Sequence, residues 1–325
     1  MYPIRLLLIL TVFTFSNVYE TNTIRPIDNV SSEMLKISTS ENQFSILTLN
    51  TWALPFELKG HDHDLRFPKL TEGINTKDAD IVCLQEIFNR SLRRRIEKEI
   101  NNGYEYGIDL SCNRKALSLL NLDCFGGLIT LSKYPIIDEK FIPFPKTKHR
   151  NLIEKIGNKG FLITSLLLPN NSKIAIINTH LRSGIDIKAQ KDRMEQILFI
   201  NNYIESKLKD KYSEIVLTGD LNMNHPSVRE INEKIVQVDN YNFITEKMEF
   251  KNPDVKNPFD SATIGKGDNK YSSSKDGVQI LDYCMYKNMT KNKSIDLVSQ
   301  NTCFNGNNSI SDHKGIVSIF EMKVI

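Results

Sequence analysis

Short apolar runs end in polar segments at five places in this chain, and this repeated pattern constrains the fold more than any other feature of the sequence. The runs are rich in Ile, Leu and Val, a composition that is typical of buried β-strands. The segments at their ends are Leu49-Asn50, Gln85-Glu86, Thr179-His180, Gly219-Asp220-Leu221-Asn222, and Asp282-Tyr283 with Ser311-Asp312-His313. Buried strands that carry acids, amides and imidazoles at their ends indicate a catalytic pocket.

Strand and helix signals alternate along the chain, which favours an α/β fold. Apolar runs predict strands at 44–49, 80–84, 127–132, 160–168, 173–178, 214–218, 280–286 and 314–322. Helical spacing predicts helices at 67–76, 89–100, 188–208 and 225–235. Several strands are apolar on both faces, and two packed sheets with helices outside them would give the cover that such strands need. The sequence lacks the Gly-rich phosphate loop of a doubly wound nucleotide fold.

The first 42 residues differ in character from the rest. Residues 1–20 have a short cationic start and an apolar stretch, which predicts a secretory signal peptide and export. Because the segment lacks a small-x-small cleavage pair, an uncleaved signal anchor that tethers the chain to a membrane is the alternative. Residues 21–42 are polar and aperiodic, as expected of a linker, and residues 43–325 are predicted to form one folded domain.

Charge and cysteine content leave several functions open. The 42 Lys and Arg nearly balance the 39 Asp and Glu, so the net charge of +3 does not demand a polyanionic partner. The five cysteines include no CxxC pair, which argues against a zinc or thioredoxin-type site. Cys112 and Cys124 could close a short disulfide loop in an oxidising compartment, whereas Cys83 and Cys284 are predicted to be buried thiols.

Two pairs of polar residues are spaced two apart near predicted strand ends. Asp220 and Asn222 would point to one face of an extended strand, as would Asn178 and His180. A carboxylate beside an amide can align water and donate to a phosphate oxygen, and an imidazole can donate to the same anion. For the Asp220 pair alone, a turn cap is an equally good explanation.

Acids at two other strand ends suggest a metal ligand and a supported base. Glu86 follows a wholly apolar run and needs a cation or a donor there, and with Asn50 it suits Mg²⁺. Asp282 could orient the imidazole of Asp312-His313 and raise its basicity. By contrast, His61-Asp62-His63-Asp64 looks like a metal motif but is predicted to be a solvated loop.

Taken in this order, the segments resemble the endonuclease/exonuclease/phosphatase superfamily, the deoxyribonuclease-like Mg²⁺-dependent phosphodiesterases. Within it, the chain is most similar to the neutral sphingomyelinases. The resemblance extends over residues 43–325 and is carried by 48–55 (TLNTWALP), 126–136 (GGLITLSKYPI), 158–161 (NKGF), 219–223 (GDLNM) and 282–287 (DYCMYK). It implies a DNase I-like α/β fold, a four-layer α/β/β/α sandwich of two packed mixed sheets with outer helices. The chain departs from the family pattern at Ala53 and at Ile280-Leu281.

The resemblance implies a metal site and a base. Glu86 would hold the essential Mg²⁺, which Mn²⁺ or Co²⁺ could replace. Asn50 would assist at the metal and the phosphate, and Asp312 would shape the metal side of the pocket. His313 would be the general base, and Asp282 would orient it.

The resemblance also implies a phosphate-binding set. Asp220, Asn222 and His180 would position and stabilise the phosphoryl group. Lys159 would bind the same anion, so that His180, Asn222 and Lys159 together form the expected substrate-binding residues.

The implied reaction is hydrolysis of sphingomyelin, a membrane phospholipid, to ceramide and phosphocholine. A membrane surface would then be the partner, no protein partner is expected, and an apolar rim at 141–145 and 124–125 could contact lipid, although core packing explains these residues as well. A secreted Mg²⁺-dependent nuclease of the same fold, with nucleic acid as its partner, is one alternative. A catalytically inactive membrane-binding protein is another.

Overall fold

The computed structural model describes residues 36–37, 39–54, 62–100, 102–106, 125–145, 157–228, 239–265, 269–272, 277–291 and 294–323. The predicted signal segment, most of the predicted linker, and Cys112 and Cys124 lie outside these residues. Cys83, Cys284 and Cys303 are buried free thiols, as expected for the first two. None of the helices in these ranges combines the length and the apolar character that a bilayer span requires.

Strands and long helices follow one another along the described chain. The strands are β1 (Gln43–Asn50), β2 (Ile81–Gln85), β3 (Glu105–Tyr106), β4 (Ile129–Ser132), β5 (Ile136–Pro143), β6 (Gly160–Leu167), β7 (Lys173–His180), β8 (Glu214–Asp220), β9 (Asp282–Asn288), β10 (Ile295–Cys303) and β11 (Gly315–Met322). The long helices are α1 (His63–Lys77), α2 (Arg90–Glu99) and α3 (Ile187–Tyr203). Shorter helical segments are Ile204–Leu208, Pro226–Val228, Asp239–Asn242, Phe243–Lys247 and Pro258–Ser261.

The strands form two mixed sheets, with orders β10-β11-β1-β2-β4-β3 and β5-β6-β7-β8-β9. In the first, Asn50 at the end of β1 pairs in parallel with Gln85 at the end of β2, and β11 runs antiparallel to β1. In the second, Asp220 at the end of β8 lies opposite His180 on one side and Asp282 on the other. The polar ends of these strands are therefore gathered at one edge of each sheet.

Three apolar layers separate the sheets and helices. Between the sheets, Ile46 and Cys83 belong to the same buried cluster as Val216 and Cys284. Helix α1 packs on the outer face of the first sheet, and α3 packs on the outer face of the second; the buried helix residues concerned are Phe67, Leu70, Ile74, Ile197 and Ile200. This α/β/β/α arrangement confirms the predicted fold class.

Sequence patterns predicted the central strands and missed three strands at or near the sheet edges. β5, β3 and β10 include exposed or half-buried polar positions, so they lack the continuous apolar run that marks a buried strand. The predicted loop at residues 61–64 is wrong in part, because α1 begins at His63 and this side chain is buried. The predicted helix at 225–235 is represented by the short turn Pro226–Val228, and its later residues lie outside the described ranges.

Candidate active site

The polar strand ends form a candidate catalytic edge on each sheet, and the two edges face each other and are joined by a hydrogen bond between buried side chains. Asn50 Nδ2 donates to Asp220 Oδ2 at 2.9 Å. The imidazole nitrogen Nε2 of His180 lies 3.5 Å from the same oxygen, and that of His313 lies 3.9 Å from it. The structure thus brings together residues that were predicted separately from four strand ends.

Glu86 lies near other polar and acidic side chains of the site. Asn50 Nδ2 donates to Glu86 Oε1 at 3.1 Å, whereas the buried Oε2 has no hydrogen-bond partner among the described residues. Burial, and then the charge of Asp312, raises the pKa of Glu86 from 4.5 to about 7. An unpartnered carboxylate oxygen beside a second acid and an amide has the donor chemistry that suits a hard divalent cation.

The backbone at Glu86 has a strained conformation, as is common for residues at functional sites. Its φ of 63° lies in the left-handed region, which costs a non-glycine residue about 1–3 kcal/mol. Directly before it, Gln85 Nε2 donates to Asn178 Oδ1 at 2.9 Å, and both amides are fully buried. Asn178 Nδ2 in turn donates to the carbonyl of Leu84 at 3.2 Å, so a cross-sheet amide pair holds the strand end that presents Glu86.

His313 is held by a buried carboxylate. Its Nδ1 lies 2.7 Å from Asp282 Oδ2, and both residues are almost fully buried. Burial by itself lowers the pKa of His313, but the charge and hydrogen bond of Asp282 and the charges of Asp220 and Asp312 together raise it well above 6.5. An imidazole oriented by a carboxylate, with its other nitrogen free to face a reacting group, has the arrangement of a general base.

The loop that carries His313 is tied to β1 and to a neighbouring loop. Ser311 Oγ donates to the carbonyl of Asn50 at 2.6 Å, and the N–H of His313 donates to Ser311 Oγ at 3.3 Å. Asn269 Nδ2 and Ser272 Oγ both donate to the carbonyl of Asp312, at 3.0 and 2.6 Å. These bonds hold the predicted base and the predicted metal-side acid in one rigid turn.

Lys159 and His180 contact each other at the side of the site formed by the second sheet. Lys159 Nζ lies 3.1 Å from His180 Nε2 and donates to the carbonyl of Leu181 at 2.7 Å. Burial, and then the charge of Lys159, lowers the pKa of His180 to about 3, so the imidazole is neutral near pH 7. Because an ammonium group only donates, Nε2 is the acceptor of this contact, and Lys159 carries the positive charge of the pair.

Asn222 lies beside this pair at the end of β8. Its backbone N–H donates to Asp220 Oδ1 at 2.9 Å, which is the turn-cap geometry considered for the Asp-x-Asn pattern. Its φ is 49°, and its side-chain amide donates to the carbonyl of Leu181 at 3.3 Å. Asn222 therefore takes part in the turn cap formed by Asp220 and also lies near the pair of Lys159 and His180.

A second grouping of ligand-type atoms lies next to the Glu86 pocket. Asp220, Asp282 and His313 place one such atom each within 4.8 Å of the others. Two of these residues form the acid–imidazole pair, so metal binding by all three would compete with the base role of His313. The sequence assigned the metal instead to Glu86, Asn50 and Asp312, and that assignment stays a prediction.

Arg66 is a buried cation that the sequence interpretation missed. Its guanidinium donates to the carbonyls of Thr51, Trp52 and Ile310 at 2.8–2.9 Å, and its central carbon lies 5.1 Å from the ring centroid of Trp52 and 5.6 Å from that of Tyr271. It thereby ties the segment after Asn50 to the segment before Ser311. The signal was an arginine on the apolar side of α1, where Phe67 and Leu70 are also buried.

The predicted apolar rim is divided by the structure. Phe144 is buried against Phe161 and Phe199, so ordinary core packing explains it. Phe125 and Phe141 are partly exposed and pack edge to face. Ile280 and Leu281, where the sequence departs from the family pattern, are also buried, and the carbonyl of Ile280 accepts a hydrogen bond from Tyr283.

Comparison with known proteins adds a family match. The Endonuclease/Exonuclease/phosphatase family matches residues 47–313. Sphingomyelinase C 2 of Leptospira interrogans is 26% identical over 215 residues, which is 61% of this chain and 33% of the relative. The chain thus spans about a third of the length of the curated relatives it matches.

Solved structures share the fold at low sequence identity. Beta toxin from Staphylococcus aureus, a mutant with bound magnesium ions, has a TM-score of 0.59 and 19% identity and covers 86% of this chain and 100% of its own. Danio rerio TDP2 complexed with single-strand DNA product has a TM-score of 0.60 and 15% identity and covers 87% of this chain and 100% of its own. Both similarities concern the fold, which therefore does not decide between a lipid and a nucleic acid substrate.

Proposed function

Because the chain belongs to the endonuclease/exonuclease/phosphatase family, we propose that it is a Mg²⁺-dependent phosphodiesterase that hydrolyses sphingomyelin to ceramide and phosphocholine. The observation that carries the reaction class is the buried pair of His313 and Asp282 at 2.7 Å beside the carboxylates of Glu86 and Asp220. The substrate rests on the similarity to a sphingomyelinase of Leptospira interrogans.

His313 is the base in this proposal. Its Nε2 takes a proton from water as the water oxygen forms a bond to phosphorus. The bond from phosphorus to the ceramide oxygen breaks, and the released alkoxide takes a proton from solvent. Asp282 keeps the imidazole in place and stabilises the imidazolium that forms.

Glu86 and Asn50 would hold the cation, with Asp312 on the same side of the pocket. The unpartnered Glu86 Oε2 and the raised pKa of Glu86 support this assignment. When bound, a divalent cation polarises a phosphate oxygen and offsets the carboxylate charges that otherwise favour protonation of His313. Mg²⁺ is the ion we assign, and Mn²⁺ or Co²⁺ are expected to substitute.

Lys159, His180 and Asn222 would bind the phosphate. The ammonium group of Lys159 is the nearest cation to the buried imidazole of His180, and it can turn from Nε2 to a phosphate oxygen. Once Lys159 has turned away, the neutral imidazole of His180 can carry its proton on Nε2 and donate it to the same phosphate. Asn222 and Asp220 position the group at the end of β8, where exclusion of water strengthens each hydrogen bond.

The same proposal covers domain organisation and location. Residues 43–325 would form the catalytic domain, 21–42 a linker, and 1–20 a secretory signal or an uncleaved anchor. The enzyme would therefore act outside the producing cell or on its membrane surface. Microsequencing of the amino terminus of the exported protein tests this part independently of catalysis.

The function is tested by incubating purified residues 21–325 with sphingomyelin vesicles, with vesicles of other phospholipids and with plasmid DNA, each with Mg²⁺ and with chelator. Phosphocholine release only with Mg²⁺ is the expected result. His313→Ala should lower turnover by roughly 10² to 10⁴, the usual scale of acid–base catalysis. DNA nicking without phosphocholine release would indicate the nuclease alternative, and the absence of all hydrolysis would indicate an inactive binding protein.

A further inference from the structure

Exposed apolar side chains are unevenly distributed over the described surface. The large hydrophobic residues that are exposed there are Leu65, Ile137, Ile185, Ile187, Leu198 and Val298. The three most exposed are Ile185 at 76%, Leu65 at 68% and Ile187 at 62%. Leu65 lies in the first turn of α1, whereas Ile185 and Ile187 lie immediately before and at the start of α3.

Helix α1 begins at the catalytic edge of the first sheet. Arg66, the next residue after Leu65, donates to the carbonyls of Thr51, Trp52 and Ile310, which are next to the Asn50 and Ser311 segments. The far end of the helix leads to Asp80, which binds Ser45 at the opposite end of β1. Leu65 is therefore presented at the edge where the catalytic residues lie.

Helix α3 begins at the corresponding edge of the second sheet. It connects β7, which ends at His180, to β8, which starts at the opposite edge with Glu214 opposite Ile174. A helix in such a parallel crossover starts where the first strand ends. Ile185 and Ile187 are thus only a few residues beyond His180, on the other outer layer of the sandwich from Leu65.

The segment with Ile185 is held in a defined conformation. Arg193 donates to the carbonyls of Arg182 and Gly184 at 2.8 and 2.7 Å. Asp186 caps α3 by accepting from the N–H of Ala189 at 2.9 Å. Preorganised apolar groups lose less conformational entropy on binding than flexible ones do, so this segment is suited to contact a surface.

Charges around these apolar groups are of both signs. The exposed charged neighbours in the described sequence are Asp62, Asp64, Lys69, Asp186, Lys188 and Lys191. Three acids and three bases leave no net charge, so these residues do not favour a polyanion such as DNA. The combination of exposed apolar groups with balanced charge suits a surface that is neutral overall and apolar beneath, such as the phosphocholine layer of a bilayer.

We propose that Leu65, Ile185 and Ile187 form a docking face for a zwitterionic phospholipid bilayer, with one part on each outer layer of the sandwich and the catalytic edge between them. The choice of lipid rests on the proposed function. The docking face brings the whole catalytic edge to the membrane, so that a phosphodiester at the bilayer surface can reach His313. Insertion of apolar side chains drives this binding, which is therefore only weakly dependent on salt.

The test compares residues 21–325, without the predicted signal or anchor segment, with the same protein carrying the triple change Leu65→Ser, Ile185→Ser, Ile187→Ser. Binding to vesicles of phosphatidylcholine and sphingomyelin in equal parts is measured by flotation, with chelator present to stop hydrolysis and at about 0.1 M and about 1 M salt. The matched control is Ile137→Ser, because Ile137 is also exposed but lies near the start of β5, at the end remote from the catalytic edge. Hydrolysis of a water-soluble chromogenic phosphocholine ester is measured in parallel with Mg²⁺.

The triple variant is expected to bind vesicles on the order of 10² times more weakly, at both salt concentrations, and to hydrolyse the soluble ester at the normal rate. The control should bind normally. Equal vesicle binding by the triple variant and the unchanged chain, or no vesicle binding by either, would overturn the docking face while leaving ester hydrolysis intact. If the unchanged chain binds vesicles through these residues but hydrolyses neither ester nor lipid, the docking face stands and the proposed function fails.

Discussion

Asn50, at the end of a strand in the six-stranded sheet, donates a hydrogen bond of 2.9 Å to Asp220, at the end of a strand in the five-stranded sheet. The acceptor Oδ2 also lies 3.9 Å from His313 Nε2. Asp220 therefore contacts the amide of the proposed metal side and faces the proposed base. A change at the carboxylate of Asp220 should therefore affect both the proposed metal side and the pKa of His313.

Asp220→Asn is expected to move the acidic limb of the pH dependence of kcat/KM to lower pH. Burial lowers the pKa of His313, whereas Asp282, Asp220 and Asp312 raise it to a value well above 6.5 overall. A base acts when deprotonated, so removal of one of these negative charges lowers the pKa and keeps the base active at lower pH. The measurement is kcat/KM against pH, with the exposed Asp254→Asn as control. An unmoved limb would contradict the proposed influence of Asp220 on His313.

Glu86→Gln is expected to raise the Mg²⁺ concentration for half-maximal activity by at least about tenfold, since even changes behind the direct ligands weaken metal binding 10–100-fold. With chelator present, the variant should unfold at a higher temperature than the unchanged chain at pH 8. The reason is that burial and the charge of Asp312 raise the pKa of Glu86 to about 7, so ionisation at that pH destabilises the fold. Activity measured against Mg²⁺ concentration tests the first effect, and thermal unfolding with and without Mg²⁺ tests the second. An equal Mg²⁺ stabilisation of both proteins would rule out Glu86 as a ligand.

Lys159→Met is expected to raise the pKa of His180 above its value of about 3. Burial is the main cause of the low pKa and remains, but the second cause, the charge of Lys159 at 3.1 Å, is removed. Titration of the imidazole signal by NMR measures the shift. Lys159→Arg, which keeps the charge, should show a smaller change, and identical titrations of all three proteins would disprove the coupling.

Arg66→Met is expected to lower the free energy of unfolding by about 3 kcal/mol or more, because three carbonyl groups lose a charged donor. Urea denaturation measures this change. The control is Arg94→Met on α2, where the side chain is exposed and the effect should stay within about 0.5 kcal/mol. A similar small effect at Arg66 would show that the buried guanidinium does not hold the two segments together.

Glu139→Gln is expected to flatten the pH dependence of stability. Burial raises the pKa of Glu139 from 4.5 to about 7, against the opposing hydrogen bond from Thr164 at 2.6 Å. The folded protein keeps this proton where the unfolded chain releases it. The resulting stability is fully present below about pH 4.5 and is lost as the pH rises through about 7, by at most about 1.4 kcal/mol per pH unit.

Urea denaturation at several pH values between about 4 and 8 tests the role of Glu139. Glu139→Gln should remove the loss of stability that accompanies a rise in pH, whereas Glu246→Gln at an exposed position should not. A slope that persists in the Glu139 variant would assign the pH dependence to other groups.

The central strands and most site residues were predictable from the same signal, a run of apolar residues that ends in a polar one. The run predicts the strand, and the polar residue predicts the site. A strand buried on two faces is largely apolar, so the acid or amide that follows its apolar run marks the strand end, and parallel neighbours such as β1 and β2 place those ends together. Asn50, Glu86 and Asp220 could therefore be assigned to strand ends without coordinates. Their pairing across the two sheets could not, since it depends on how the sheets pack.

The features that the sequence did not predict are an edge strand and contacts between distant parts of the chain. The edge strand β5 has only exposed and half-buried positions and resembles a loop in its composition. Arg66 precedes the predicted helix at 67–76, and its role depends on carbonyl groups from distant parts of the chain. Lys159 and His180 are 21 residues apart, and only the antiparallel pairing of β6 with β7 brings them together.

Along the chain, the proposed site residues come first from one sheet, then from the other, and finally from the first sheet again. Asn50 and Glu86 come from the first, His180, Asp220 and Asp282 from the second, and His313 precedes β11, which completes the first by pairing between β1 and β10. During synthesis, no nascent chain that stops short of His313 can possess the base, and no half of the sandwich folded by itself contains the site. The six-stranded sheet must remain open at β1 until its late partner is made, so enzymatic activity should appear together with the last long-range pairing of the fold.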